Sequence, residues 1–100
     1  MPKLTTVTVN GDIVFNTMAE SGTDTGIEVA HTIAKSLYLA GVPDAVITTR
    51  TERKDEFCGA VTWWVERDYK PGRPPSRTAH RSWTMPEADL NALREAWDGV

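Results

Sequence analysis

The stretch between residues 57 and 84 holds the side chains best suited to bind another macromolecule. An apolar run carries the pair Trp63-Trp64, an arginine- and proline-rich segment follows it, and Trp83 comes next. Arginine neutralises phosphate, and aromatic rings stack on unpaired bases or anchor contacts between proteins. The pattern therefore predicts a binding surface rather than an active site. The candidate partner-binding residues are Trp64, Tyr69, Arg73, Arg77, Arg81 and Trp83.

Three interpretations of this stretch are open. In the first, it binds a protein, since Trp, Tyr and Arg most often dominate binding energy and a proline-stiffened loop loses little entropy on docking. In the second, the basic segment 67–81, with five cations against Asp68, contacts nucleic acid, although a net charge of −3 opposes nonspecific binding. In the third, the loop at 69–76 folds back over the sheet and covers Trp64. We prefer the protein partner.

Catalytic motifs are weak by comparison. Asp-Thr-Gly at 24–26 matches the tripeptide of aspartic proteases, but there it follows an apolar strand, whereas here Ser-Gly-Thr precedes it and a predicted helix follows. We interpret Asp24 and Thr25 as helix-cap residues. The glycines of this loop also suit phosphate binding at a helix amino terminus, but no Walker lysine follows and Asp24 would repel an anion.

Metal and thiol chemistry lack the spacing they require. His31 and His80 are the two histidines, no Cys/His pair has zinc spacing, and the acids do not follow the calcium-loop pattern. Cys58 is the single cysteine, and no histidine is placed beside it by the sequence to form a thiolate. We therefore predict no catalytic residue, metal or cofactor and a non-enzymatic protein. A small enzyme with an unrecognised site is the second alternative.

Length and composition predict one soluble domain spanning residues 1–100. The chain is 40% hydrophobic and 25% charged, and none of its apolar runs approaches the roughly 20 residues of a membrane span. No apolar signal segment follows the first residues, and a lone cysteine fits a reducing compartment. We expect a cytoplasmic protein. The charge is uneven, with the first half acidic and residues 67–81 basic.

The first half predicts a hairpin and a helix. Residues 4–9 and 12–17 are β-rich and flank Asn-Gly at 10–11, the pair favoured in a type I′ turn. In this register Val7, Val9, Ile13 and Phe15 share one face. A helix over 26–40 follows, with capping-box spacing at positions 25 and 28, and Gly41 ends it.

The second half predicts another hairpin, an optional fifth strand and a second helix. Strands at 45–51 and 57–68 flank a charged turn at 52–56, and their alternation places Phe57 and Trp63 in the core and Trp64 outside. Residues 78–83 return as a strand. A helix over 85–98 follows a capping box at 84 and 87, and its stripe of Leu90, Leu93 and Trp97 needs a sheet to cover it.

These elements predict an α+β fold in the order ββαββ(β)α, with a four- to five-stranded antiparallel sheet and two helices packed most simply on one face. Strand order is left open, and so is a homodimer formed through a sheet edge. The expected function is that of a small accessory protein, a regulator, inhibitor or assembly component of bacteria or their viruses, acting by protein binding. Nucleic-acid binding through the segment 64–83 is the alternative.

Overall fold

The computed structural model of the protein describes residues 3–72 and 78–99 and confirms the α+β fold class. One five-stranded antiparallel sheet has the strand order β2-β1-β3-β4-β5. The third strand along the chain is thus central, and the second and fifth are the edges. The elements are β1 (Leu4–Val9), β2 (Asp12–Met18), α1 (Gly22–Leu39), β3 (Ile47–Lys54), β4 (Val61–Tyr69), β5 (Thr78–Thr84) and α2 (Glu87–Asp98).

The first hairpin forms as predicted apart from its register. Asn10 and Gly11 have φ angles of 52° and 88°, as a type I′ turn requires at both central positions. A bulge directly after Val7 then shifts the pairing of β1 with β2 by one residue. Phe15 still lies opposite Val7 and packs against the core. Ile13 lies opposite Thr8 instead and is 65% exposed, so the prediction that it shares a face with Val7 is wrong.

Helix α1 begins one turn earlier than predicted, because glycine lets its first turns approach the sheet closely. A methyl group added at Gly26 would lie 2.6 Å from Thr5 Cγ2, and one added at Gly22 would lie 2.9 Å from Thr5 Oγ1. No larger residue fits at this distance unless the Thr5 side chain is displaced. The predicted capping box is wrong, since Thr25 lies inside the helix and its hydroxyl donates to the Ser21 carbonyl.

The core lies between α1 and the inner half of the sheet. Helix α1 packs over β1, β2 and β3 and reaches β4 through an edge-to-face contact of His31 with Tyr69, whose centroids lie 5.1 Å apart. Beneath its first turns, the buried hydroxyls of Thr5 and Thr51 lie 3.0 Å apart, and Thr23 donates to Thr51 at 3.2 Å. The buried cluster consists of Val7, Ala30, Ala34, Ile47 and Tyr69.

The second hairpin has its turn at 55–60 rather than at 52–56, because Asp55 organises a turn further along the chain than the charge pattern indicates. Its carboxylate accepts hydrogen bonds from the backbone amides of Phe57 and Cys58 at 3.0 and 3.1 Å. Gly59 has a positive φ of 70° within the same turn. Phe57 is therefore outside the strand and 56% exposed, and its predicted place in the core is wrong.

Strand β5 forms as predicted, but α2 does not pack on the sheet. The helix begins after Pro86, and its predicted side-chain cap is absent. None of its described residues is buried, and Leu93 and Trp97 are 37% and 55% exposed. The helix thus extends the molecule to 55 Å with a radius of gyration of 16.2 Å, where a compact chain of this length has about 13 Å.

An ion pair ties α2 to the turn of the second hairpin. Arg94 donates from Nε and lies 3.0 Å from Asp55, whose side chain is 1% exposed. Burial by itself raises the pKa of the Asp55 carboxyl, but the amides of Cys58 and Phe57, the Cys58 thiol and Arg94 outweigh it. The pKa of Asp55 therefore lies below its ordinary value of 3.8.

The close approach of α1 to β1 makes a first prediction. We expect Gly26→Ala to lower the free energy of unfolding by about 1–3 kcal/mol through overpacking, although alanine exceeds glycine in helix propensity by about 1 kcal/mol. Thr5→Ser removes the Cγ2 methyl and keeps the hydroxyl, so it should relieve Gly26→Ala. The methyl group of Gly22→Ala would meet the Thr5 hydroxyl instead, which serine keeps. Thr5→Ser should therefore not reduce the destabilisation caused by Gly22→Ala. Urea unfolding of the single and double variants checks this, and equal relief at both glycines would contradict it.

The Asp55 anchor makes a second prediction. The pKa of Asp55 is lower in the folded protein than in the unfolded chain. Its carboxylate therefore stabilises the fold at pH values above the unfolded-state pKa, and this stabilisation is lost as the pH falls through the folded-state pKa. At neutral pH the melting temperature of Asp55→Asn should therefore be lower than that of the unmodified protein. This gap in melting temperature should narrow as the pH drops below 3.8. Thermal unfolding across that range measures the gap. A gap independent of pH would show that charge on Asp55 does not stabilise the turn.

Candidate functional site

The two faces of the sheet differ, because α1 covers one of them and neither described helix covers the other. Tyr69 points toward α1, so the alternate residues of β4 point away from it. We call this second surface the open face. The strand pairing adds the matching residues of the neighbouring strands. On β3, β4 and β5 the open face comprises Thr48, Arg50, Glu52, Trp64, Glu66, Asp68, Ala79, Arg81 and Trp83.

Two tryptophans form the apolar centre of the open face. Trp64 of β4 and Trp83 of β5 are direct partners in the register, which places their Cβ atoms roughly 5 Å apart. Trp83 is 37% exposed and Trp64 is half-buried. The guanidinium carbon of Arg50 lies 5.1 Å from the centroid of the Trp64 ring, within the range of a cation–π contact. The arginine therefore covers one side of the aromatic pair.

A chain of ion pairs borders this aromatic centre. The Glu66 carboxylate forms ion pairs with the guanidinium groups of Arg50, at 3.0 Å, and Arg81, at 3.1 Å. Arg81 also contacts Asp68 at 3.0 Å, and Arg50 lies 3.6 Å from Glu52. The arginines are 38% and 55% exposed, so each pair stabilises the fold only weakly. The main effect is geometric, because the network holds two long side chains beside the tryptophans.

The network also fixes the electrostatic character of the open face. Two arginines face three carboxylates, so neither Arg50 nor Arg81 offers a free positive charge there. A phosphate near Arg81 would meet Glu66 and Asp68 at the same place and would have to displace them. The arrangement is suited to a neutral partner surface with hydrogen-bonding groups, and it is poorly suited to a polyanion.

The structure brings together only some of the residues predicted from the sequence. Trp64, Arg81 and Trp83 lie side by side on the open face. Tyr69 is 1% exposed beneath α1, so it belongs to the core rather than to this surface. Arg73 and Arg77 lie outside the described residues.

Sequence reasoning missed Arg50 and Glu66 as parts of the surface. The signal for them exists only in the pairing of β3 with β4, in which Arg50 lies opposite Glu66. The sequence indicates two strands here but not their register, because the turn between them was placed three residues too early in the chain.

A second feature is a cleft of about 480 Å³ on the opposite face of the sheet, where α2 leaves β5. Trp63 forms part of its wall and is half-buried, and Lys3 Nζ lies 5.4 Å from the centroid of its ring. Arg53 adds a second cation and Leu90 of α2 an apolar side. We call this space the Trp63 cleft. Its lining is Lys3, Arg53, Thr62, Trp63, Thr84, Met85, Glu87 and Leu90.

Metal and thiol chemistry are two further possibilities for residues 3–72 and 78–99. In that part of the chain His, Cys, Asp and Glu do not gather in a group able to hold a metal ion. Cys58 is half-buried, and its thiol donates to the Asp55 carboxylate at 3.4 Å, so it takes part in the turn. Neither helix, as far as it is described, has the combined length and apolar content of a membrane crossing.

Comparison with known proteins adds no relative to these observations. The chain matches no model of a protein family, no curated protein and no solved structure. The open face and the Trp63 cleft are therefore the features of the molecule that indicate a function.

The paired arginines make a third prediction, measured by retention on heparin. Glu66→Gln together with Asp68→Asn should release Arg81, leave Arg50 with Glu52 alone and delay elution, because a freed cation binds the polyanion. The control is Asp12→Asn with Glu28→Gln, which makes the same change in net charge at exposed positions away from the open face. The control should elute close to the unmodified protein. Equal delays in both variants would mean that only net charge matters.

Proposed function

We propose that this protein is a small, non-enzymatic accessory protein that binds another protein through the open face. A regulator, inhibitor or assembly component acting in the cytoplasm of a bacterium, or encoded by a bacterial virus, fits this role. One observation carries the proposal: Trp64 and Trp83 are paired on a sheet face that neither described helix covers. Aromatic side chains in such a position supply large contact area at a low cost in conformational entropy.

The surroundings of the pair support a protein partner further. Tryptophan and arginine are the residue types most enriched among the dominant contacts of protein interfaces. Here Arg50 and Arg81 lie beside the aromatic centre, and their carboxylate partners hold them in place before binding. A side chain ordered in advance loses less entropy on docking. The open face thus has an apolar centre and a polar border, the arrangement of a specific protein interface.

Nucleic acid is a weaker candidate for this surface. Exposed tryptophans on a sheet can stack on single-stranded bases, and that observation alone favours the alternative. The same face, however, holds Glu52, Glu66 and Asp68 within contact distance of its arginines. A phosphate backbone would therefore meet fixed negative charge where it needs positive charge.

The fourth prediction tests the open face with single substitutions in affinity capture from a bacterial lysate. Trp83→Ala and Trp64→Ala should each weaken capture of a specific protein at least about tenfold. Because both rings are partly exposed, the melting temperature should fall by only a few degrees. The matched control is Phe57→Ala, which removes an aromatic ring that is 56% exposed in the 55–60 turn. This control should capture as much of the partner as the unmodified protein does.

Two outcomes would contradict the proposal. If nuclease treatment releases the captured material, or if its affinity falls steeply with salt, the partner is a nucleic acid. If Trp64→Ala, Trp83→Ala and Phe57→Ala all retain the partner equally, the open face is not the site. A melting temperature lowered by far more than a few degrees would instead place the two tryptophans among the residues that hold the fold together.

A further inference from the structure

Helix α2 is held against the sheet by very few contacts. None of its described residues is buried. Leu90 lies against the Trp63 cleft, and four residues later Arg94 contacts the Asp55 carboxylate at 3.0 Å. Within the part of the chain that the structure describes, this is the ion pair that joins α2 to the other elements. The position of the helix therefore depends on this pair.

The chain between β5 and α2 has the properties of a hinge. The Met85 amide still donates to the Thr62 carbonyl across the sheet at 2.7 Å. Pro86 follows in an extended conformation, with φ −57° and ψ 143°, and its carbonyl accepts the hydrogen bond of the Leu90 amide in the first turn of the helix. One residue thus separates the end of the ladder from the start of α2. Rotation about its ψ angle moves the helix as a body, because proline fixes only φ.

The ion pair acts on the helix well beyond this hinge. Arg94 lies eight residues after Pro86, about 12 Å along the helix axis, and Leu90 lies halfway between them. While Arg94 stays on Asp55, the helix cannot turn away, and Leu90 remains a wall of the Trp63 cleft. Without the pair, the hinge at Pro86 is free to turn.

The two partners of the ion pair differ in what else holds them. Arg94 is 42% exposed, whereas the side chain of Asp55 is 1% exposed. Asp55 keeps its hydrogen bonds from the amides of Phe57 and Cys58 when Arg94 leaves. Burial raises the pKa of the Asp55 carboxyl, and among the groups that lower this pKa the Cys58 amide comes first and Arg94 last. The turn at 55–60 therefore depends on Arg94 far less than α2 depends on Asp55.

We propose that α2 is a flap over the Trp63 cleft with its hinge at Pro86. The ion pair of Arg94 with Asp55 latches the flap closed. Loss of this pair turns the helix away and uncovers Trp63, while the sheet and the turn at 55–60 keep their structure. Since Arg94 is the accessible partner, the latch opens from the helix side. A helix of 12 residues is marginal in water without packing, so α2 also loses helical order once released.

The four tryptophans allow the flap to be measured in one spectrum. Fluorine NMR of the chain labelled with fluorotryptophan gives a resonance for each ring, assigned by replacing each ring in turn. Trp63 in the cleft and Trp97 on α2 report on the flap. Trp64 and Trp83 lie on the open face and serve as internal references. In Arg94→Gln the first two resonances should move, and a soluble paramagnetic agent should broaden that of Trp63 more than in the unmodified protein.

Backbone relaxation measures the motion of the helix itself. In the unmodified protein the amides in the middle of α2 should have order parameters of about 0.85, as in the strands. In Arg94→Gln they should fall below about 0.6 in α2 and stay unchanged in β3, β4 and the turn at 55–60. Arg94→Lys keeps the positive charge and should restore much of the order. The matched control is Arg81→Gln, which breaks ion pairs on the open face and should leave α2 rigid.

Three results would overturn the proposal. If Arg94→Gln leaves the α2 order parameters and the Trp63 resonance as they are in the unmodified protein, another contact holds the helix. If α2 of the unmodified protein already has order parameters below about 0.6, the ion pair is not a latch. If Arg94→Gln disorders the sheet and the turn at 55–60 together with α2, the pair supports the whole fold rather than a movable flap.

Discussion

The structure depends on how closely α1 can approach β1. Gly22 and Gly26 bring the helix backbone onto Thr5, whose hydroxyl pairs with Thr51 beneath the first turns. Side chains of ordinary size would hold a helix about 10 Å from a sheet, but glycine permits a shorter distance. The approach fixes α1 over β1, β2 and β3, where Ala30 and Ala34 continue the contact. On β4 the cover reaches Tyr69, which is buried with the alanines of α1 and meets the His31 ring.

This placement explains where the two candidate surfaces lie. Because a single helix is seated on the inner strands, β4 and β5 receive little cover from α1 on one side and none on the other. Adjacent residues of a strand point to opposite faces, so Trp63 is directed to the cleft and Trp64 to the open face. One dipeptide thus contributes an aromatic ring to each surface. The open face is polar as well as aromatic, because Arg50, Glu66 and Arg81 form a connected network of ion pairs on it.

Local chemistry was predictable from the sequence, and contacts between distant residues were not. Asn10 and Gly11 specify their turn because few other residues accept two positive φ angles. The early start of α1 depends on Thr5, which lies far away in sequence, so the spacing of Thr25 and Glu28 predicted the wrong cap. Trp83 was found by residue type. Its pairing with Trp64 requires the register of β4 with β5, which composition does not encode.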